Sequence, residues 1–122
     1  MTRILIVDDS PTETFAFTTA LKESGYSVLT AVNGEEGVKI ALKEKPDLVL
    51  MDIVMPELNG FQATRQLTRN PETSHIPVVI VTTKDQETDR VWGARQGAKG
   101  YLVKPVNKTL LLSTIEQLLE DR

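Results

Sequence analysis

Four short apolar runs in this chain each end in a residue that phosphoryl chemistry can use. Ile4-Leu5-Ile6-Val7 ends in Asp8-Asp9, and Leu48-Val49-Leu50-Met51 ends in Asp52. Val78-Val79-Ile80-Val81 ends in Thr82, and Tyr101-Leu102-Val103 ends in Lys104-Pro105. Brought together, three carboxylates crowd one another, and unpaired like charges at close range push a pKa up strongly. A hard divalent cation removes that conflict. Oxygen-only ligands with no His or Cys nearby favour Mg²⁺ over zinc. A carboxylate beside such an ion can attack phosphorus and form an acyl phosphate. Lys104 would then balance charge on the transferring group, and the Thr82 hydroxyl would donate to another of its oxygens.

Taken singly, each residue has an ordinary explanation. Asp8-Asp9 could cap a helix, Asp52 could begin a turn, Thr82 is a common strand residue, and Lys104 alone would be a surface lysine. The joint placement is what is specific. Runs of four apolar, β-branched-rich residues mark buried strands of a parallel sheet. In such a sheet all carboxyl ends lie on one edge, where ligands bind.

Segments of 3.6-residue period lie between the strands. Ser10-Pro11-Thr12-Glu13 opens the first helix with an N-cap Ser, Pro at N1 and Glu at N3 as a capping box, and Gly25 stops it. Val28-Leu29 forms a short strand. Asn33-Gly34-Glu35-Glu36 opens the second helix, which Pro46 closes, and Asn59-Gly60 opens the third, carrying Phe61, Ala63, Thr64 and Leu67. After the polar loop of residues 70–74, Asp85 is expected to cap the fourth helix, with Val91 and Ala94 on its core face and Gly97 at its end. Asn107 caps the fifth, with Leu111, Ile115 and Leu118 on one face. The alternation predicts a (βα)5 α/β fold, a three-layer sandwich around a parallel sheet. Residues 1–122 are expected to form a single domain with no output domain.

Composition narrows the function classes. Hydrophobic residues make up 40% and charged residues 25%, an ordinary globular balance. The net charge of -3 and the lack of a basic block argue against nucleic-acid binding. No cysteine is present, so disulfides and thiolate metal sites are excluded. No apolar stretch approaches the roughly 20 residues of a membrane span, and no signal-peptide pattern precedes the first strand. A cytoplasmic location without membrane insertion is the expectation. His75, the sole histidine, falls in a polar loop and is expected to be solvated.

The chain resembles the response-regulator receiver family. The resemblance rests on Ile6-Val7-Asp8-Asp9-Ser10, Asp52-Ile53-Val54-Met55-Pro56, Gly60, Val81-Thr82-Thr83, and Gly97-Ala98 through Tyr101-Leu102-Val103-Lys104-Pro105. It implies the flavodoxin-like doubly wound sheet with strand order 2-1-3-4-5. It also implies that Asp52 is the phosphoacceptor. Asp9, Asp52 and the Val54 carbonyl would be the Mg²⁺ ligands, with Asp8 assisting through water. Lys104 would contact the phosphoryl group, and Thr82 and Tyr101 would form the switch pair that alters the surface of helix 4, strand 5 and helix 5. Lys104-Pro105 resembles the family's cis peptide. Such a protein would be no enzyme beyond its own phosphorylation and dephosphorylation. It would be a monomer, taking its phosphoryl group from a histidine kinase or phosphotransfer domain and acting on a target protein the sequence leaves open.

A narrower resemblance covers Ser10-Pro11-Thr12-Glu13, residues 59–67, and Thr82-Thr83-Lys84-Asp85-Gln86-Glu87-Thr88-Asp89 through Val91-Trp92-Gly93. Together these are similar to the single-domain regulators of type IV pilus twitching motility, whose donor is a chemotaxis-like kinase. In the wider family the residues two beyond the phosphoacceptor and two beyond the switch Thr tune the lifetime of the acyl phosphate. Those positions hold Val54 and Lys84 here, which implies slow hydrolysis.

Three further residues are candidate partner surface. Phe15 falls off the first helix's apolar stripe of Ala16, Phe17, Ala20 and Leu21, beside the acidic site. Trp92 and Leu112 could edge the surface around Tyr101, with core packing of Trp92 as the alternative. Two other functions suit the fold. A flavodoxin-like FMN binder would need a Gly/Ser/Thr-rich phosphate cradle after the first strand, where Asp8-Asp9-Ser10-Pro11 instead repels phosphate. An aspartyl-phosphate phosphohydrolase of the haloacid dehalogenase type would need an acid two residues after its first-strand nucleophile, where this chain has Ser10. A degenerate receiver serving only as a docking module is opposed by the complete residue set.

Overall fold

A computed structural model describes residues 1–122. Five strands and five helices alternate along the chain. The strands are β1 (Arg3–Val7), β2 (Ser27–Ala31), β3 (Leu48–Met51), β4 (Val78–Thr82) and β5 (Gly100–Val103), and the helices are α1 (Pro11–Glu23), α2 (Gly34–Glu44), α3 (Gly60–Arg69), α4 (Glu87–Arg95) and α5 (Lys108–Asp121). All pairings are parallel, and the sheet order is β2-β1-β3-β4-β5.

The apolar runs are buried on both sides because helices cover both faces of the sheet. Side-chain alternation splits the core in two. Leu5, Val7, Val49, Met51 and Val78 pack with Ala41 of α2 and with Ala63 and Leu67 of α3. Ile4, Ile6, Leu48, Leu50, Val79 and Val81 pack with Leu21 of α1 and with Leu111 and Ile115 of α5.

Register places the strand ends together. Val7 lies beside both Ala31 and Met51, so Asp8 and Asp52 emerge side by side. The ladder continues past the strands: Asp52 N–H donates to the Val7 carbonyl at 3.0 Å, and Lys104 N–H to the Thr82 carbonyl at 2.8 Å. The Lys104-Pro105 peptide is cis, as the resemblance implied.

Side-chain caps hold four helices where the sequence predicts them. The Ser10, Asn33, Asn59 and Asn107 oxygens accept from the N–H three residues on, and Asn59 forms a full capping box with Gln62. Three expectations fail. The α1 box is only half formed, because Ser10 N–H donates to Asp8 Oδ1 at 2.9 Å rather than to Glu13. Asp85 does not cap α4: Gln86 stands at the N-cap and makes no side-chain bond there. Nor do Val91 and Ala94 face the core, since both are exposed. The inward face of α4 is Asp89, Gly93 and Gln96, with Gly93 set directly against the tip of Ile80 and the ring of Tyr101.

At the opposite, amino edge of the sheet Asp47 ties the chain ends together. Its carboxylate accepts from Arg3 N–H at 2.8 Å and from the Arg122 guanidinium at 2.7 Å. Burial works to raise the Asp47 pKa, but these two donors outweigh it and hold the group below its ordinary 3.8. A depressed carboxylate contributes stability above its unfolded value and loses it as pH falls through the folded one. Asp47→Asn is therefore expected to lower the denaturation midpoint near neutral pH. The gap to the parent should close as pH falls below the ordinary 3.8 and through the lowered folded-state value, which paired urea titrations across pH will show.

Candidate functional site

The carboxyl edge of the sheet brings the predicted residues together. Oxygens of Asp8, Asp9 and Asp52 all lie within 4.8 Å of one another. Lys104 reaches the centre of the group from the end of β5. Its Nζ donates to Asp8 Oδ2 at 2.8 Å and to Asp52 Oδ2 at 3.1 Å, and only 8% of its side chain is exposed. Asp52 Oδ1 accepts from Ile53 N–H at 2.7 Å and from Val54 N–H at 3.3 Å, so the loop's own backbone orients the carboxylate.

The two acidic residues after β1 have different surroundings. Asp8 is buried and both of its oxygens are engaged, Oδ1 with Ser10 N–H and Oδ2 with Lys104. Asp9 is exposed and accepts no hydrogen bond, though its carboxylate reaches the cluster. Burial drives the Asp8 pKa above its ordinary 3.8, even though Lys104 and Ser10 N–H pull the other way. Burial would lower the Lys104 pKa, but Asp8 and Asp52 overcome it and raise the ammonium above its ordinary 10.5. Three carboxylates gather around one ammonium, so the site carries surplus negative charge. An oxygen-only donor set, an unpartnered carboxylate at its mouth and that surplus fit a hard divalent cation.

Two features fix the loop below Asp52. Gly60 opens α3 against it, with Gly60 N–H donating to the Ile53 carbonyl at 3.1 Å. A Cβ on Gly60 would stand 2.0 Å from the Asp52 carbonyl oxygen, so no side chain fits. Val54 projects beside the site and is 51% exposed.

Thr82 is fully buried at the end of β4, and its Oγ1 stands 3.5 Å from Lys84 N. The Tyr101 hydroxyl donates to the Lys84 carbonyl at 2.8 Å, and its ring lies against Gly93 and under the Arg90 guanidinium, 5.1 Å away. Thr82, Lys84 and Tyr101 thus share one loop, with the Lys84 side chain exposed.

The structure separates the remaining candidates. Trp92 is exposed, not packed in the core. It lies two positions, about 200°, around α4 from Arg90, on the flank away from Tyr101. Leu112 packs partly against the α1–α5 half of the core, and its neighbour Leu110 is the exposed leucine. Phe15 is 73% exposed and lines a shallow hollow with Asp8, Asp9, Pro11 and Val32. His75 is exposed, as expected. It borders a cleft of about 530 Å³, which lies at the amino edge and shares no residue with the aspartate cluster.

Sequence patterning missed two participants. Glu13 Oε2 stands 3.5 Å from Lys104 Nζ. Its position in the first turn of the helix that follows Asp8-Asp9 was the available signal. Val32 joins Phe15 at the rim, and only its place directly after β2 could have marked it.

A five-stranded 2-1-3-4-5 sheet with an aspartate cluster and a buried lysine at its carboxyl edge defines a receiver-type domain. The response regulator receiver domain pattern matches residues 4–116, and the chain belongs to that family. Among curated proteins it is 66% identical over 119 residues to Protein PilH of Pseudomonas aeruginosa, covering 98% of each chain. It is 36% identical to the response regulator PleD of Caulobacter vibrioides, of which it spans 26%. Among solved structures, chemotaxis protein CheY4 of Vibrio cholerae superposes with a TM-score of 0.91 at 31% identity, covering 97% of this chain and 98% of that one. A CheY-like receiver domain from Methanospirillum hungatei gives 0.93 at 29%, covering 99% and 95%. No helix is long and apolar enough to cross a membrane.

Proposed function

We propose that Asp52 accepts a phosphoryl group from the phosphohistidine of a kinase or phosphotransfer domain, and that the resulting charge resets the face formed by α4, β5 and α5. The observation that carries this reading is Lys104 held between Asp8 and Asp52 with the Asp9 carboxylate unpartnered beside them. Asp9, Asp52 and the Val54 carbonyl would hold Mg²⁺, with Asp8 acting through water because its own oxygens are taken. Bound there, the ion would supply charge neutralisation for the transferring group. The chain's residues supply the rest. An Asp52 carboxylate oxygen attacks phosphorus, the bond from phosphorus to the donor atom breaks, and its electron pair leaves with the donor. Lys104 moves from Asp52 to a phosphoryl oxygen. The Thr82 hydroxyl donates to another, and Tyr101 follows through the shared Lys84 loop.

Similarity to PilH, together with the motifs around Ser10, Asn59 and Lys84, supports type IV pilus twitching signalling as the setting. Phe15 and Val32 are the apolar contacts we assign to the donor domain, with Tyr101, Leu110 and the outer side of α4, including Trp92, left for the target.

Incubation with acetyl phosphate and Mg²⁺ is expected to add one phosphoryl group by intact mass, and EDTA to prevent it. Asp9→Asn should raise the Mg²⁺ needed by more than the roughly 10–100-fold that outer-shell losses cost, and Asp8→Asn by no more than that. Uptake that ignores EDTA overturns the reading. After donor removal the label should decay slowly. Val54 offers no hydrogen bond to a water, and Lys84 is a poor base while protonated, so Val54→Asn and Lys84→Glu should each speed the decay.

A further inference from the structure

Glu13 has left its helix-capping role. Asp8 Oδ1 takes the Ser10 N–H that a capping-box glutamate would take, and Glu13 Oε2 instead stands 3.5 Å from Lys104 Nζ. The Lys104 ammonium therefore faces three carboxylates, those of Asp8, Asp52 and Glu13. The first two are buried and belong to the phosphoacceptor cluster itself. The Glu13 side chain is 41% exposed, at the rim over which a phosphodonor must pass. Asp9 shares that rim but stands ready for a cation, whereas Glu13 lies outside the cluster of cation-binding oxygens.

We infer that Glu13 is a specificity-determining residue that disfavours small free phosphodonors. The inference rests on phosphorylation at Asp52. An acyl phosphate such as acetyl phosphate approaches as a dianion, and a half-exposed carboxylate whose ammonium is shared with two others repels it on approach. A protein donor gains its binding from docked surface, including the apolar Phe15 and Val32 beside Asp8 and Asp9, and is less affected by one charge. Glu13 also draws Lys104 towards α1 and away from the incoming group. Its net effect is to make the site answer to a docked partner rather than to the small-molecule pool.

The reaction to be followed is balanced without any further reactant. An Asp52 oxygen bonds to phosphorus, the bond from phosphorus to the acetyl oxygen breaks, and acetate departs with the electron pair. Initial rates are measured by intact mass for the parent, Glu13→Gln and Glu13→Asp, with acetyl phosphate and with the less charged phosphoramidate, at low and high salt. Glu13→Gln should raise the acetyl phosphate rate several-fold at low salt. The gain should shrink at high salt, where exposed charges are screened, and should be smaller for phosphoramidate. Glu13→Asp, which keeps the charge, should restore the parent rate to within about twofold. Mg²⁺ affinity, titrated by isothermal calorimetry, should stay within about twofold in all three proteins. A role confined to helix capping would give no dependence on salt or on donor charge.

An unchanged or slower acetyl phosphate rate in Glu13→Gln overturns the inference, as does a gain that is equal for both donors and insensitive to salt. A parent protein that takes up no label from either donor would instead sink the assignment of Asp52. The two failures are therefore distinguishable.

Discussion

Asp52→Asn protein is expected to take up no phosphoryl group from acetyl phosphate under conditions that label the parent fully. The amide is nearly isosteric, and its carbonyl oxygen can still accept from Ile53 N–H, now 2.7 Å from Oδ1. The loop should therefore keep its shape. The lost properties are the charge and the nucleophilic lone pairs, and without them no acyl phosphate forms. Stability should respond in the opposite sense. Asp8, Asp52 and Glu13 share one buried ammonium, so removing one of these charges brings the cluster nearer to balance. Lys104 loses a partner but keeps Asp8 at 2.8 Å. The first effect should win, and the variant should melt no lower than the parent in EDTA. Equal labelling of the variant would move the phosphoacceptor to another carboxylate of the cluster.

Gly60→Ala is expected to cost the most stability of any single methyl group added to this protein. The new carbon would meet the Asp52 carbonyl oxygen at 2.0 Å and Ile53 Cα at 2.8 Å. Both obstacles are backbone, so no side chain can swing aside. Either α3 lifts away from the Ala63 and Leu67 half of the core, or the Asp52 loop moves. Overpacking of an ordinary core costs about 1–3 kcal/mol, and a backbone obstacle should reach or pass the top of that range. A drop in Tm of roughly 10 °C follows for a domain of this size. Labelling should fall with it, because the loop that would move also aims Asp52. Gly25→Ala is the control. Gly25 has φ +89 with open space around it, so its alanine pays only conformational strain, about 1 kcal/mol, far from the site. Equal losses of labelling in the two variants would show that fold stability alone sets phosphoryl uptake.

The sheet and the cluster were legible because the same short runs announce both. A buried parallel strand must be apolar on both faces, and the first polar residue after it marks the edge where ligands bind. Helix ends were legible at Ser10, Asn33, Asn59 and Asn107, where an oxygen three residues before a free N–H has one obvious use. Helix α4 reversed the usual code. Its apolar Val91 and Trp92 face outward and its inward side is Asp89, Gly93 and Gln96, because Tyr101 and Ile80 already fill the space beneath it. Leu110, Leu111 and Leu112 formed a different obstacle. Three consecutive leucines sweep over half of a helix, so sequence alone does not say which one stays outside. Glu13 matched a capping box in every respect except that a neighbouring carboxylate reached the Ser10 N–H first.

Helix α4 has a further consequence. It buries no apolar side chain of its own beyond a glycine, and nothing caps its first turn. Its detachment would uncover Ile80 and the ring of Tyr101, while both halves of the core, which are built from the other four helices, would stay closed. Segments of this kind sit at the low end of a protein's ladder of local opening energies. Amide protons along α4 should accordingly trade with solvent long before those of β1, β3 or β4. The native state is thus a firm sheet carrying one loosely moored helix, whose excursions leave the rest of the molecule folded.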